Sequence, residues 1–310
     1  MRVAPLVDAE PSASAAPRSR RRPATSRPTA WWLEKLRHRA AQHQDELDLS
    51  EPITFADERE RDAAIRFFNA AYRAEESGIQ QAHVLAAQME AVDPELAEAL
   101  RLYGDEEGWH RALLVEFLDF MGGDIRPMGR VTGTFYRLYA RAQRMDTIML
   151  TNLMFETIGS TTYRLTLRNA KHPAVRQMLT ILTRDESFHV PLNVHFIREV
   201  LKRNPNISRL RLLVIYRVLF VALCASTIAS RRRAQPFDGI SVSELARAYA
   251  EQLSDLFLHE RDLALTPPRF FLRLFGIDEA ELTRITERVA TSVRAAEASA
   301  DRNQVVVEAL

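Results

Sequence analysis

The sequence predicts an all-α protein, a four-helix bundle with additional helices before and after it. Apolar residues recur at spacings of three and four along most of the 310-residue chain. Alternating apolar and polar runs are scarce, and there are only 10 glycines. A Glu-x-x-His pair also occurs twice, at 107–110 and 186–189, each time on the helix after one that carries a lone glutamate.

Composition bounds the class. An apolar content of 46% is enough for a substantial core, and a formal net charge of +1 argues for neither a nucleic acid partner nor a membrane surface. The one cysteine, Cys224, excludes an internal disulfide, a zinc finger and a four-cysteine iron–sulfur or rubredoxin-type module, and fits a reducing, cytoplasmic setting. No apolar leader stands near the start. The longest apolar run, 212–230, is interrupted by Arg217 and is too short for a span of about 20 residues, so no membrane span is expected.

Residues 1–30 are rich in Pro, Ala, Ser and Arg, with Arg18, Arg20, Arg21 and Arg22 clustered, and are expected to form a disordered tail. The arginines leave a transit peptide or a nucleic-acid-binding arm as alternatives. Residues 31–310 are expected to form a single helical domain, with a core bundle at about 57–203 and a C-terminal extension at about 206–300. Trp31 and Trp32 pin a first helix that ends before Pro52.

The first bundle helix, from Asp57 to about Val92, carries the seam Ile65, Phe68, Tyr72, Ile79, Ala82, Ala86 and Met89. Glu75 falls in the gap of that seam and Glu76 lies one position off it, so the first metal ligand is Glu75 or Glu76, with Glu75 preferred on periodicity. Asp93-Pro94 starts the next helix as N-cap and first-turn proline. Its seam is Leu96, Leu100, Tyr103, Glu107, His110, Leu114 and Phe117, and Gly122-Gly123 ends it. A third helix is expected from about Val131 to Asn169, with seam Leu138, Ala142, Met145, Met149, Leu153, Glu156, Gly159 and Tyr163. Pro173 opens the fourth, whose face reads Val175, Leu179, Leu182, Glu186, His189, Asn193, Phe196 and Val200 before Asn204-Pro205. Further helices are expected at about 207–231, 241–262, 268–275 and 278–299, separated by breakers at 236–239 and Pro267-Pro268.

Six polar groups, Glu75 (or Glu76), Glu107, His110, Glu156, Glu186 and His189, thus occupy seam positions on four successive helices. Unpaired, they would cost several kcal/mol per buried charge, a cost a metal centre removes. Separations of 32, 49 and 30 residues between successive glutamates suit two antiparallel pairs joined by a longer connection. Four carboxylates and two imidazoles suit two iron ions, or less well manganese. Glu106 and Asp185, each one residue before a ligand glutamate, turn toward a neighbouring helix. There Asp185 could orient His110 and Glu106 could orient His189, or the two could be a solvated acidic pair.

Other residues carry two readings each. Tyr72, Tyr103 and Tyr163 either pack in the core or pass electrons. His83 would join Glu76 if the phase were shifted, and His195 and His259 are expected beside the ligands or at the surface. Gly159 with Ser160-Thr161-Thr162 leaves room for O2 or substrate, or makes a close helix contact.

With Glu-Glu-x-x-His at 106–110 and Asp-Glu-x-x-His at 185–189, residues 60–203 resemble the ferritin-like di-iron carboxylate superfamily. That superfamily includes acyl carrier protein desaturases, aldehyde-deformylating oxygenases, p-aminobenzoate N-oxygenases and rubrerythrins. Leu182 stands where the N-oxygenases carry an extra histidine, and the single cysteine excludes a rubredoxin appendage. The resemblance implies a non-haem di-iron oxidoreductase that activates O2 to oxidise a C–H or N–H group of a small-molecule or carrier-bound organic substrate, by hydroxylation or N-oxygenation. Electrons would come from an external reductase or ferredoxin, and a homodimer is expected. The alternatives are an acyl-chain desaturase, an iron- or peroxide-handling protein without an organic substrate, and a structural helical protein that binds no iron.

Overall fold

The computed structural model describes residues 27–42, 46–203, 209–258, 263, 265, 269–274, 277–288 and 291. Among these there are no strands, and the named helices are α1 (Thr29–Gln42), α2 (Glu58–Met89), α3 (Pro94–Phe120), α4 (Arg130–Tyr139), α5 (Met145–Asn169), α6 (Pro173–Arg203), α7 (Arg209–Asp238), α8 (Val242–Leu258) and α9 (Arg269–Leu274). A further helical stretch covers 279–288. The tail before residue 27, and His259, lie outside the described residues.

Helices α2, α3, α5 and α6 form a four-helix bundle. Asp57 caps α2 through the amide of Glu60, and Asp93 caps α3 through the amide of Leu96, with Pro94 in the first turn where no amide is needed. Short turns join α2 to α3 and α5 to α6, so each pair is antiparallel. The α2–α3 pair packs closely at Gly104, where a Cβ would lie 2.8 Å from His83 Cδ2. Gly122, at φ +65°, ends the α3 turn in a conformation that favours glycine.

The expected third bundle helix is two helices. The chain leaves α4 at Ala140 and re-enters helix at Met145, and side chains of α2 take up carbonyls at the break: Gln81 donates to Tyr139 O (3.0 Å) and Gln88 to Gln143 O (3.1 Å). The seam shifts with it, so that Tyr139 is buried while Leu138 is 66% exposed. Tyr139 instead packs with Phe135 and Tyr136 on Phe155. The breaker at Pro236 also lies inside a helix, since α7 continues to Asp238. Proline there removes a single helical hydrogen bond near the end, and Gly239 at φ +65° makes the turn.

The other helices wrap the bundle. Trp32, Leu33 and Leu36 of α1 are buried against the core that includes α3 and α6. On α7, Leu212, Tyr216 and Phe220 are buried four residues apart, and Arg211 reaches Asp146 at the start of α5 (2.9 Å). Helix α8 docks on α5 through Gln252, which accepts from Thr161 Oγ1 (2.6 Å) and donates to Ser160 Oγ (2.5 Å). The polar run after Gly159 is thereby used in helix docking. No helix among the described residues is long and apolar enough to cross a membrane.

Candidate metal centre

Each bundle helix delivers carboxylate or imidazole groups to one level of the interior. Glu75 comes from α2, Glu107 and His110 from α3, Glu156 from α5, and Glu186 and His189 from α6, and all six are buried. The spacing of three within each Glu-x-x-His pair puts both side chains on one helical face. One ligand atom from each of Glu107, His110, Glu186 and His189 lies within 4.8 Å of the others. Glu107 stands between the imidazoles, with Oε2 3.7 Å from His110 Nδ1 and Oε1 3.1 Å from His189 Nδ1. Glu75 Oε2 lies 3.7 Å from His110 Nδ1, while Glu156 Oε2 and Glu186 Oε2 lie 3.6 and 3.5 Å from His189 Nδ1. Glu76 turns away, accepting from Arg73 (2.6 Å) and Tyr72 (3.2 Å) at the helix surface.

The outer ring nitrogens face the other two carboxylates. His110 Nε2 is 3.1 Å from Asp185 Oδ2, and His189 Nε2 is 3.6 Å from Glu106 Oε2. Asp185 is an acceptor, so Nε2 of His110 keeps its proton, and Nδ1, on the cluster side, is the nitrogen that a cation would take once its own proton is released. Asp185 also accepts from Arg184 (2.7 and 2.9 Å). Arg39, projecting from α1, spans the two acids, donating to Glu106 through Nε (2.9 Å) and Nη2 and to Asp185 through Nη2 (2.6 Å). Its guanidinium lies 4.6 Å from the centre of the Phe188 ring. The sequence reading missed Arg39; an arginine outside the bundle, 67 residues from Glu106, offers no spacing signal.

Tyr103 of α3 donates to Glu156 Oε1 of α5, so this core tyrosine fixes a site carboxylate, and Tyr163 lines the cavity beside it. His83 pairs with Asp105 (3.2 Å) at the surface. His195 neither joins the cluster nor reaches the surface. It is buried, bonded to Thr29 Oγ1 (3.1 Å) and packed near Trp32, tying α6 to α1.

The inward atoms fit a cation pair. Glu107 Oε1, Glu186 Oε2, His110 Nδ1 and His189 Nδ1 are buried without a hydrogen-bond partner, although they face one another. Burial raises Glu75 well above the usual carboxylate range, reinforced by the charge of Glu107, and burial likewise raises Glu186. Burial would raise Glu107 too, but the positive charge of His189 and nearby hydrogen bonds hold it well below that range. Burial opposes charge on both imidazoles, yet the hydrogen bond to Asp185 for His110 and the charge of Glu107 for His189 hold both well above the ordinary histidine value. Without a metal, the cluster therefore neutralises itself with protons. Two divalent cations would carry the same positive charge as four carboxylates carry negative, and would occupy the orphaned donor atoms.

A cavity of about 370 Å³ opens beside the cluster. Ala74, Phe155, Gly159 and Tyr163 line both it and the small pocket, about 20 Å³, that reaches Glu75, Glu107, Glu156 and Glu186.

Bundle and cluster together define a ferritin-like helical fold with a buried Glu/His cluster that could hold a pair of metal ions. Among solved structures, the chain is similar to "Protein 19 with aldehyde deformylating oxidase activity" from Synechococcus. The two are 18% identical, the match covers 76% of this chain and 100% of that one, and the TM-score is 0.55. No protein-family model and no curated protein matches the chain.

Proposed function

We propose that the protein is a non-haem di-iron oxidoreductase that activates O2 to oxidise a small organic substrate by hydroxylation or N-oxygenation. One observation carries this reading: the four buried donor atoms of Glu107, His110, Glu186 and His189 that face one another without partners. Glu75, Glu107, His110, Glu156, Glu186 and His189 would hold the two ions. Bound there, ferrous iron supplies electrons and open coordination positions for O2, a chemistry that favours iron over manganese in this oxygen and nitrogen donor set.

The chain's own residues do the rest. Asp185 fixes the His110 tautomer, Glu106 stands behind His189, and Arg39 holds both acids in place. Tyr103 keeps one oxygen of Glu156 engaged and so sets the direction of the other. Phe155, Tyr163 and Ala74 present an apolar wall to the cavity on the side of the cluster, where it would limit the access of water to a reacting group. The cavity favours an organic substrate over iron storage, because storage of Fe(II) needs no apolar chamber of that size. The neighbour's oxidase activity also supports an oxidative reaction. With one cysteine, the chain cannot carry its own iron–sulfur relay, so electrons come from an external reductase or ferredoxin. A homodimer belongs to this reading, and the exposed stripe Leu210, Val214 and Val218 on α7 supplies an apolar face for it.

The test is O2 consumption by iron-loaded, chemically reduced protein across a panel of organic acids, amines and aldehydes. Substrate-dependent uptake with an oxygenated product is expected. Uptake that no organic compound changes, with Fe(II) or H2O2 turned over instead, would overturn the reading in favour of an iron- or peroxide-handling protein.

A further inference from the structure

Taking the oxidase reading as its premise, we infer that the substrate of this site is an organic anion that enters apolar end first, its acid group held by arginines in the part of the cavity away from the cluster. Arg66, Arg73, Arg126, Arg130 and Arg231 all line the larger cavity, which has no acidic lining residue, and none of them lines the small pocket at the cluster. The wall shared with that pocket is Ala74, Phe155, Gly159 and Tyr163. Polarity therefore runs in one direction, from guanidinium groups away from the cluster to an apolar passage beside the carboxylates.

The positive charge is not fully answered by the protein. Asp62 serves both Arg66 (2.7 Å) and Arg126, Glu76 serves Arg73 (2.6 Å), and Asp238 serves Arg231 (2.5 Å). Arg130 has no ion pair among the described residues, so five guanidinium groups meet three carboxylates. Arg73 also keeps a buried Nε without an acceptor, a donor that an incoming anion would satisfy. Next to Arg130, the first amides of α4 follow Gly129, which gives no side-chain cap, and Gly129 also lines the cavity. A cationic or neutral substrate would leave this charge unmatched. An anion whose apolar body fills a chamber of about 370 Å³ matches both ends, and that size lies within the range of small-molecule sites.

Calorimetric titration of the full chain with octanoate and with 1-octanol separates head-group recognition from apolar filling. Octanoate should bind at least about tenfold more tightly than 1-octanol, and Arg130→Gln and Arg73→Gln should each remove most of that preference while leaving 1-octanol unchanged. Arg130 is exposed and makes no ion pair among the described residues, so its variant tests the idea even if Arg73→Gln fails to fold. Gly159→Leu, which fills the passage beside Tyr163 (3.3 Å from a Cβ built there), should weaken both probes. Equal affinity for the two probes, or a preference that survives Arg130→Gln and Arg73→Gln, overturns the proposal. Iron content of the same samples keeps the two readings apart. No preference in iron-bound parent protein overturns only the substrate class, whereas a preference in parent protein that takes up no iron supports the anion cavity and overturns the metal reading.

Discussion

Replacing Arg39 with leucine removes a side chain that bridges Glu106 and Asp185, the acids behind the two imidazoles. Both acids are buried, and Arg39 itself is 21% exposed at its side chain, so water replaces the lost contacts only in part. Removing one partner of a buried ion pair costs about 3–5 kcal/mol, and the partial exposure of Arg39 places this case at the lower end. Asp185 keeps Arg184 and His110, while Glu106 loses its contacts to Arg39 Nε and Nη2. A destabilisation of about 3 kcal/mol corresponds to a fall in Tm of about 5 °C for a chain of this size. Thermal unfolding of metal-free protein measures it. Arg39→Lys should recover only part of the loss, because one ammonium cannot reproduce the forked contacts to two acids. Combining Arg39→Leu with Glu106→Gln should restore stability relative to Arg39→Leu alone, since the penalty is the carboxylate left behind. A Tm within about 1 °C of the parent for Arg39→Leu, against the cost expected for a broken buried pair, would refute the reasoning.

Three further outcomes follow from the same geometry. Glu75→Ala should lower iron content while Glu76→Ala leaves it unchanged, because only Glu75 is buried at the cluster; elemental analysis of both variants checks this. His110 and His189 hold protons above the ordinary histidine range in the metal-free protein, and cations need them neutral, so metal loading should release protons and affinity should weaken as pH falls. Titration of Fe(II) or Mn(II) into weakly buffered protein reads that release. Burial pushes His195 down to about 4 from 6.5. Between those values the unfolded chain takes a proton that the folded chain refuses, so this contribution is complete above about pH 6.5 and up to about 3 kcal/mol is lost by pH 4. His195→Gln should flatten that part of the stability profile in urea unfolding.

The bundle was legible because its apolar seams keep a helical period over long stretches and its caps are spelled out at Asp57, Asp93 and Pro94. Phase also pointed to Glu75 as the inward residue and Glu76 as the outward one, since neighbouring positions on a helix differ by about 100°. The break between α4 and α5 was not legible. It depends on Gln81 and Gln88 of another helix accepting the task of satisfying carbonyls, and residues 140–144 contain neither proline nor glycine to signal it. Pro236 misled in the opposite direction, because a breaker in the last turn of a helix costs little when the chain is about to turn at Gly239. Arg39, the Tyr103 contact to Glu156 and the arginine-lined cavity each join residues from different helices. Such pairings carry no period, and only the packed structure brings them together.

The central claim is that the six residues hold a pair of ions. Anaerobic loading with Fe(II), removal of excess metal and Mössbauer spectroscopy before and after O2 test it most directly. The account predicts about two irons per chain, coupled to one another after oxidation, and a loss of that signal in Glu186→Ala. Iron binding no greater in the parent than in Glu186→Ala, or a spectrum of isolated single ions, would contradict it.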